Sequence, residues 1–253
     1  MLNLTSVAAL AAFVCISSYL QTVTGFAFAL IFMSAIATTN VIGFEDGAMI
    51  ATLLMLVNAT MILASERQFV ARRAFIQIVP LALAGTVVGA FLLPGLLASS
   101  AVWLKFALGV AVIVSSLRLL RIPKDDLAPP QPFAFPLSGL ASGIMGGLFA
   151  VPGPPIVYAL QRYLADQREI RATLVAIFAA ISVTRVISSS ISGLPTAELI
   201  HTTLILVPAT ILSTEAARRW PPPLSPYAAR MLTVSLLVLT GAVLMLPAFV
   251  PIK

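Results

Sequence analysis

Five stretches of this chain carry no charged side chain: residues 1–44, 47–65, 74–104, 127–161 and 231–252. At about 1.5 Å per helical residue each is long enough to reach across a hydrocarbon core ~30 Å thick. The chain therefore reads as an all-α polytopic membrane protein embedded in a lipid bilayer. Composition agrees: of 253 residues, 60% are hydrophobic and 9% charged, where a soluble domain carries about a quarter charged residues. The net charge of +6 does not point to nucleic acid, because the Lys and Arg residues lie in short loops between apolar runs, as the positive-inside rule places them. The single cysteine, Cys15, excludes an intramolecular disulfide and packs as a small hydrophobe. No cationic n-region precedes the first apolar run, so residues 1–30 are expected to stay in the mature chain.

Apolar segments fall at 2–40, 46–64, 74–97, 101–119, 133–161, 170–192, 197–214 and 227–250. Only the charged, Pro-rich "RLLRIPKDDLAPPQPF" (118–133) is a sizeable connection. It divides a single transmembrane domain into a first repeat (1–120) and a second (133–253), joined by a cytoplasmic linker (121–132). Each half opens with an over-long segment whose middle holds small residues, "SSYLQTVTGFAFALIF" and "SGIMGGLFAVPGPPIVY". Each follows it with a segment bearing an isolated polar residue, Asn58 and Arg185.

Loop charges predict the topology. Arg67, Arg72 and Arg73 mark 65–73 as cytoplasmic, the uncharged turn at 94–100 as external, and 118–126 as cytoplasmic again. Yet Arg162, Arg168 and Arg171 make the following loop cytoplasmic too. That pattern fails if 133–161 crosses once and holds if it turns back near the midplane. By the same logic 2–40 is a hairpin opening outward. The expected fold is two inverted repeats with six full transmembrane helices and two broken, re-entrant helical hairpins. Eight simple spans, with the arginines of 162–171 offset by Asp166 and Glu169, are the competing reading.

The helix breakers stand where a turn is needed. Pro152, Pro154 and Pro155 cannot donate N–H groups, and Gly146, Gly147 and Gly153 permit close approach of backbone or ligand. A broken helix at membrane depth is tolerated where it is buried or lines a wet cavity, and half-helix N-termini suit an anion. A kink between small-residue helix faces is the bland alternative. In the first half Gln21, Thr22 and Thr24 stand before Gly25 and Phe26, either as neutral donors to an oxyanion or as partners of their own helix. Asn58 is a ligand contact or interhelical glue. Arg185, in "AAISVTRVISSS", has no acidic residue at i±3 or i±4; a charge in a membrane segment costs about 2.5–3.5 kcal/mol at the helix centre and marks a substrate path, unless it snorkels outward. No enzyme, metal or cofactor signature is present: a lone His201 near Glu198 and no phosphate loop give such chemistry little to work with.

These residues resemble a known family. "GLASGIMGGLFAVPGPPIVYAL" resembles the second-half signature of the TauE/SafE sulfite-exporter family, close to GxxSGxxGGLFGVGGPPxVxYL. "YLQTVTGFAFAL" is similar to its first-half signature, close to QGxTGFGFAL, and "REIRATL" looks like its Arg-x-Thr-Leu opening of the sixth segment. Ala27, Ala150 and Pro152 stand where the family generally has glycine. The resemblance implies a secondary transporter of small sulfur-containing anions (sulfite, sulfoacetate or other organosulfonates) in a bacterial inner membrane. It places Gln21, Thr24, Gly25 and Phe26 in one hairpin and Gly146, Gly147, Gly153 and Pro154 in the other at the substrate site; Arg185 joins them on the charge argument. A passive anion channel and a membrane-embedded enzyme or lipid-handling protein are the alternatives, and a homodimer is compatible with each.

Overall fold

The computed structural model describes residues 4–39, 41–120, 132–191 and 193–221, with scattered positions between 228 and 245. Among the described residues every regular element is helical. In chain order they are α1 (Leu4–Thr24), α2 (Ala27–Thr39), α3 (Phe44–Glu66), α4 (Arg72–Leu120), α5 (Ala134–Phe149), α6 (Gly153–Tyr163), α7 (Gln167–Ser190) and α8 (Ala197–Arg219), with a 3-10 turn at Arg67–Phe69 between α3 and α4. Among the described residues five stretches are long and apolar enough to cross a membrane: Thr5–Thr24, Phe44–Phe69, Arg72–Leu93, Gln167–Ser190 and Ala197–Arg219.

Both over-long segments are broken where the sequence predicts. The first stops at Thr24 and restarts at Ala27; the second stops at Phe149 and restarts at Gly153. In each the chain reverses. Asn58 on α3 meets Ser18 and Thr22 on α1, whereas Gly47, near the other end of α3, meets Ile36 on α2. So α1 runs along α3 toward Glu66, and α2 runs back. In the second pair the Phe135 and Tyr163 rings stand edge to face, 5.4 Å between centroids, and the Ile156 N–H donates to Ser142 Oγ at 3.1 Å. The two hairpins open at opposite ends of the helix bundle. Their breaks meet: Phe26 lies against Gly153, 3.7 Å from where a Cβ would be.

One expectation is corrected. The turn expected at 94–100 is absent, because the backbone stays helical from Arg72 to Leu120. Pro94 removes a single intrahelical bond, while Leu96, Leu97 and Ala98 favour helix. Segments 74–97 and 101–119 thus form one helix of 49 residues, ~73 Å long at the α-helical rise. The eighth segment, 227–250, and all but the last residue of the linker lie outside the continuously described residues, though Gly241 and Met245 are seen against Gly109 of α4.

Packing follows from residue size. The first part of α2 is apolar and buried: Phe28, Leu30 and Phe32 are each 0% exposed, as expected for a stretch with no polar face. α4 and α5 lie parallel and interlock through glycines four residues apart. A Cβ on Gly139, Gly143 or Gly147 would strike the carbonyl of Ile78, Ala82 or Thr86, and a Cβ on Gly85 would come 2.5 Å from the Leu140 carbonyl. Such small-residue faces let two backbones touch, gaining dispersion and Cα–H···O contacts that need no hydrophobic driving force in lipid.

Candidate functional site

Each hairpin break is built by a local polar device. At the first, the Gln21 amide bridges the gap: its Nε2 donates to the Gly25 carbonyl at 3.2 Å and its Oε1 accepts from Phe28 N–H at 2.9 Å. One side chain thus closes the C-terminal end of α1 and caps α2. Thr24 Oγ1 donates to the Leu20 carbonyl at 2.7 Å. Gly25 has φ +87 and packs against the backbone and Cγ of Arg171. Arg171 in turn makes a two-pronged ion pair with Glu66, which ties the start of α7 to the end of α3.

At the second break Ala150 takes the left-handed conformation, φ 59, and its N–H closes on the Gly146 carbonyl at 2.9 Å. The proline cluster then solves the problem of starting a helix in an apolar interior. The first four residues of a helix lack intrahelical N–H partners. In α6 these are Gly153, Pro154, Pro155 and Ile156. Two prolines have no N–H to orphan, and Ile156 donates to Ser142. Gly153 alone keeps a backbone donor beyond these devices, so the α6 N-terminus offers an anion far less than a generic half-helix.

The charge at this break is Arg185. It is 3% exposed, and its Nη1 donates to the Gly146 carbonyl at 3.4 Å, at the C-terminal, electronegative end of α5. Its Nε has no hydrogen-bond partner, and neither does the hydroxyl of Ser182, one helical turn earlier on the same face of α7. A small cleft opens beside Arg185, lined by Glu45, Met49, Ala90, Leu93, Gly147, Ser188, Ser189 and Leu194.

The expected site residues therefore separate into groups. Gly147 and Arg185 line the cleft, and Gly146 is tied to it through its carbonyl, which accepts from Arg185. Phe26, Gly153 and buried Pro154 pack where the two breaks meet. Gln21, Thr24 and Gly25 shape the tip of the first hairpin. Asn58, 0% exposed, belongs to a polar knot in which Nδ2 donates to Thr22 Oγ1 at 3.1 Å and to Thr214 Oγ1 at 2.7 Å. It joins α1, α3 and α8, while its Oδ1 is buried without a hydrogen-bond partner. Sequence reasoning did not foresee Ser142 as a cap, nor Glu45 and Ser188 beside Arg185. The first is an isolated serine in an apolar run, and the others become neighbours only because α3 and α7 pack antiparallel. Among the described residues no three His, Cys, Asp or Glu side chains are grouped as a metal ion requires.

Comparison with known proteins accords with this architecture. Residues 9–244 match the family described as sulfite exporter TauE/SafE. The chain is 31% identical over 231 residues to the probable sulfite/organosulfonate exporter TauE of Cupriavidus necator, covering 91% of this chain and 90% of that protein. No solved structure gives a significant match. The family is one of exporters, not of enzymes, which sets aside catalysis by Glu198 and His201. A multi-pass helical chain with these two signatures and a match over nearly its whole length belongs to the TauE/SafE sulfite exporter family.

Proposed function

We propose that this protein is a secondary transporter that carries small sulfur-containing anions, sulfite or organosulfonates such as sulfoacetate, across the bacterial inner membrane. Arg185 is the residue that contacts the anion. The observation that carries this reading is a guanidinium buried to 3% exposure whose Nε lacks a protein partner. A buried charge with incomplete hydrogen bonding is costly, and a sulfonate or sulfite oxygen would supply the missing acceptor as a charge-assisted bond. Ser182, with an unpartnered hydroxyl one turn away, supplies a neutral donor.

The opposed hairpins support a reading as two inverted repeats, 1–120 and 133–253, with 2–40 and 133–161 re-entrant. In this scheme Gln21, Thr24, Gly25, Phe26 and Asn58 hold the first hairpin in shape. Gly146, Gly147, Gly153 and Pro154 form the second wall, and rocking of one half against the other alternates access to the anion. One copy of the chain carries every residue of this site, so the mechanism needs no second subunit.

The test is flux of sulfite and sulfonates through proteoliposomes holding the full-length protein. Arg185→Ala is expected to lower flux at limiting substrate about 10- to 100-fold, the equivalent of ~1.5–3 kcal/mol for a hydrogen bond to a charged group. Arg185→Lys should retain a part of it. Flux in Arg185→Ala equal to that of the parent removes Arg185 from the mechanism, and a rate that rises linearly with anion concentration without saturating replaces the transporter with a passive channel.

A further inference from the structure

The two halves of the chain are fastened together at the start of α7. Arg171 donates through Nε to Glu66 Oε2 at 3.1 Å and through Nη2 to Glu66 Oε1. One turn earlier the Arg168 guanidinium stands 5.9 Å from the centre of the Phe69 ring, within cation–π range. Two residues later Thr173 Oγ1 accepts from the Ala71 N–H at 2.9 Å. All three partners lie between the last residue of α3 and the first of α4. Arg171 also carries the tip of the first hairpin, because Gly25 packs on its Cα, Cγ and carbonyl.

The other end of the α3–α7 contact is built differently. Glu45 and Arg185 line one cleft there, yet among the described residues neither takes part in an ion pair. The Arg171–Glu66 fastening is also of a kind that can be undone. Its side chains are 28% and 23% exposed, so water replaces their mutual bonds when they part, whereas a fully buried pair would leave two bare charges. It stands over the meeting point of the two breaks: behind Arg171 comes Gly25, and next to it Phe26, which meets Gly153. Resting on the transport reading, we propose that Arg171 and Glu66 form a gate at the arginine-rich end of the bundle. It is closed in this structure and parts in each cycle to let the anion pass on that side.

A gate and a static ion pair differ in their response to a cross-link. In full-length protein carrying Cys15→Ser, the double variant Glu66→Cys/Arg171→Cys is joined by a short bifunctional methanethiosulfonate, and each single-cysteine variant receives the same reagent. Cross-linking is expected to lower sulfonate flux in proteoliposomes about tenfold relative to the treated single variants, with recovery on reduction. A loss no larger than in the single variants overturns the gate. A second measurement needs no flux. Val151, 2% exposed, lies in the second break, and Val151→Cys reports access to it. Adding Glu66→Gln should raise its labelling by a membrane-impermeant thiol reagent from the Arg171 side about threefold, and adding Glu66→Asp by less. An unchanged labelling rate in Glu66→Gln likewise overturns the gate. The two readings fail separately. If the parent carries no sulfonate but Glu66→Gln opens Val151→Cys to reagent, the gate stands and the transport reading falls. If cross-linking is without effect while Arg185→Ala abolishes flux, the gate falls and transport stands.

Discussion

Two residues with positive φ show how the same backbone conformation is tolerated in one place and not in another. Ala150 stands at φ 59 and is 2% exposed. The left-handed conformation costs a non-glycine residue roughly 1–2 kcal/mol. Against this stand about 0.8 kcal/mol from burying its methyl group and ~0.5–1 kcal/mol from the smaller chain entropy of alanine. The terms nearly cancel, so the departure from the glycine of the family signature is accommodated. Ala150→Gly should thus shift the thermal midpoint of the purified protein by no more than about 2 °C. Ala150→Val, whose branched Cβ is far worse in that conformation, should lower it clearly. Gly25 has no such compensation. Its φ is +87, and an added Cβ would stand 3.1 Å from Arg171 Cγ and 3.2 Å from Arg171 Cα. Gly25→Ala combines strain with a backbone contact and is expected to cost about 2–3 kcal/mol. A midpoint equal to the parent's would show that the tip of the first hairpin yields.

At the scale of elements, the sequence announced the breaks but not what holds them. Gly25 and the prolines at 152–155 are punctuation that local physics makes legible, since few alternatives to a break exist for such runs. Gln21 and Ser142 were harder to read. Their roles depend on which N–H group folding leaves unpaired a few residues along the chain, and nothing in the identity of a glutamine or serine specifies that. Ser142→Ala, which leaves the buried Ile156 N–H without its acceptor, should destabilise by about 1–3 kcal/mol. Ser142→Thr, which keeps the oxygen, should cost less where its extra methyl fits. The α4–α5 contact was not read from the sequence, although its glycines stand four residues apart, because Gly139, Gly143 and Gly147 pair with α4 across the linker. Gly143→Leu drives a large side chain into the Ala82 backbone and should destabilise by more than the ~1–3 kcal/mol typical of overpacking. Loss of monodisperse protein in gel filtration or a lowered thermal midpoint would register it.

For the whole molecule, loop charge was enough to predict that Phe133 and Arg162 lie at the same end, and the Phe135–Tyr163 ring contact bears that out. The count of crossings was less legible. An uncharged stretch such as 94–100 is equally compatible with a turn and with a helix that continues, and hydropathy does not distinguish them. Thiol labelling in a Cys15→Ser background supplies a global check. Phe133→Cys and Ala165→Cys should react with a membrane-impermeant reagent from one face of the membrane, and Ala197→Cys, near the cleft mouth, from the other. Labelling of Phe133→Cys and Ala165→Cys from opposite faces would turn the second hairpin into a single span.

The glycine contact between α4 and α5 has a mechanical consequence. Backbones that touch at Gly85, Gly89, Gly139, Gly143 and Gly147 have no flexible side chains between them to absorb sliding. The first half of α4 and α5 then turn together, and residues 91–120 continue the same helix as an arm about 45 Å long that carries Gly241 and Met245 against Gly109. A tilt of ~10° at the hairpin would sweep the far end of that arm through about 8 Å. A small adjustment around a bound ligand would thus be magnified into a displacement comparable to the width of a helix, at the point where the two halves of the chain are joined.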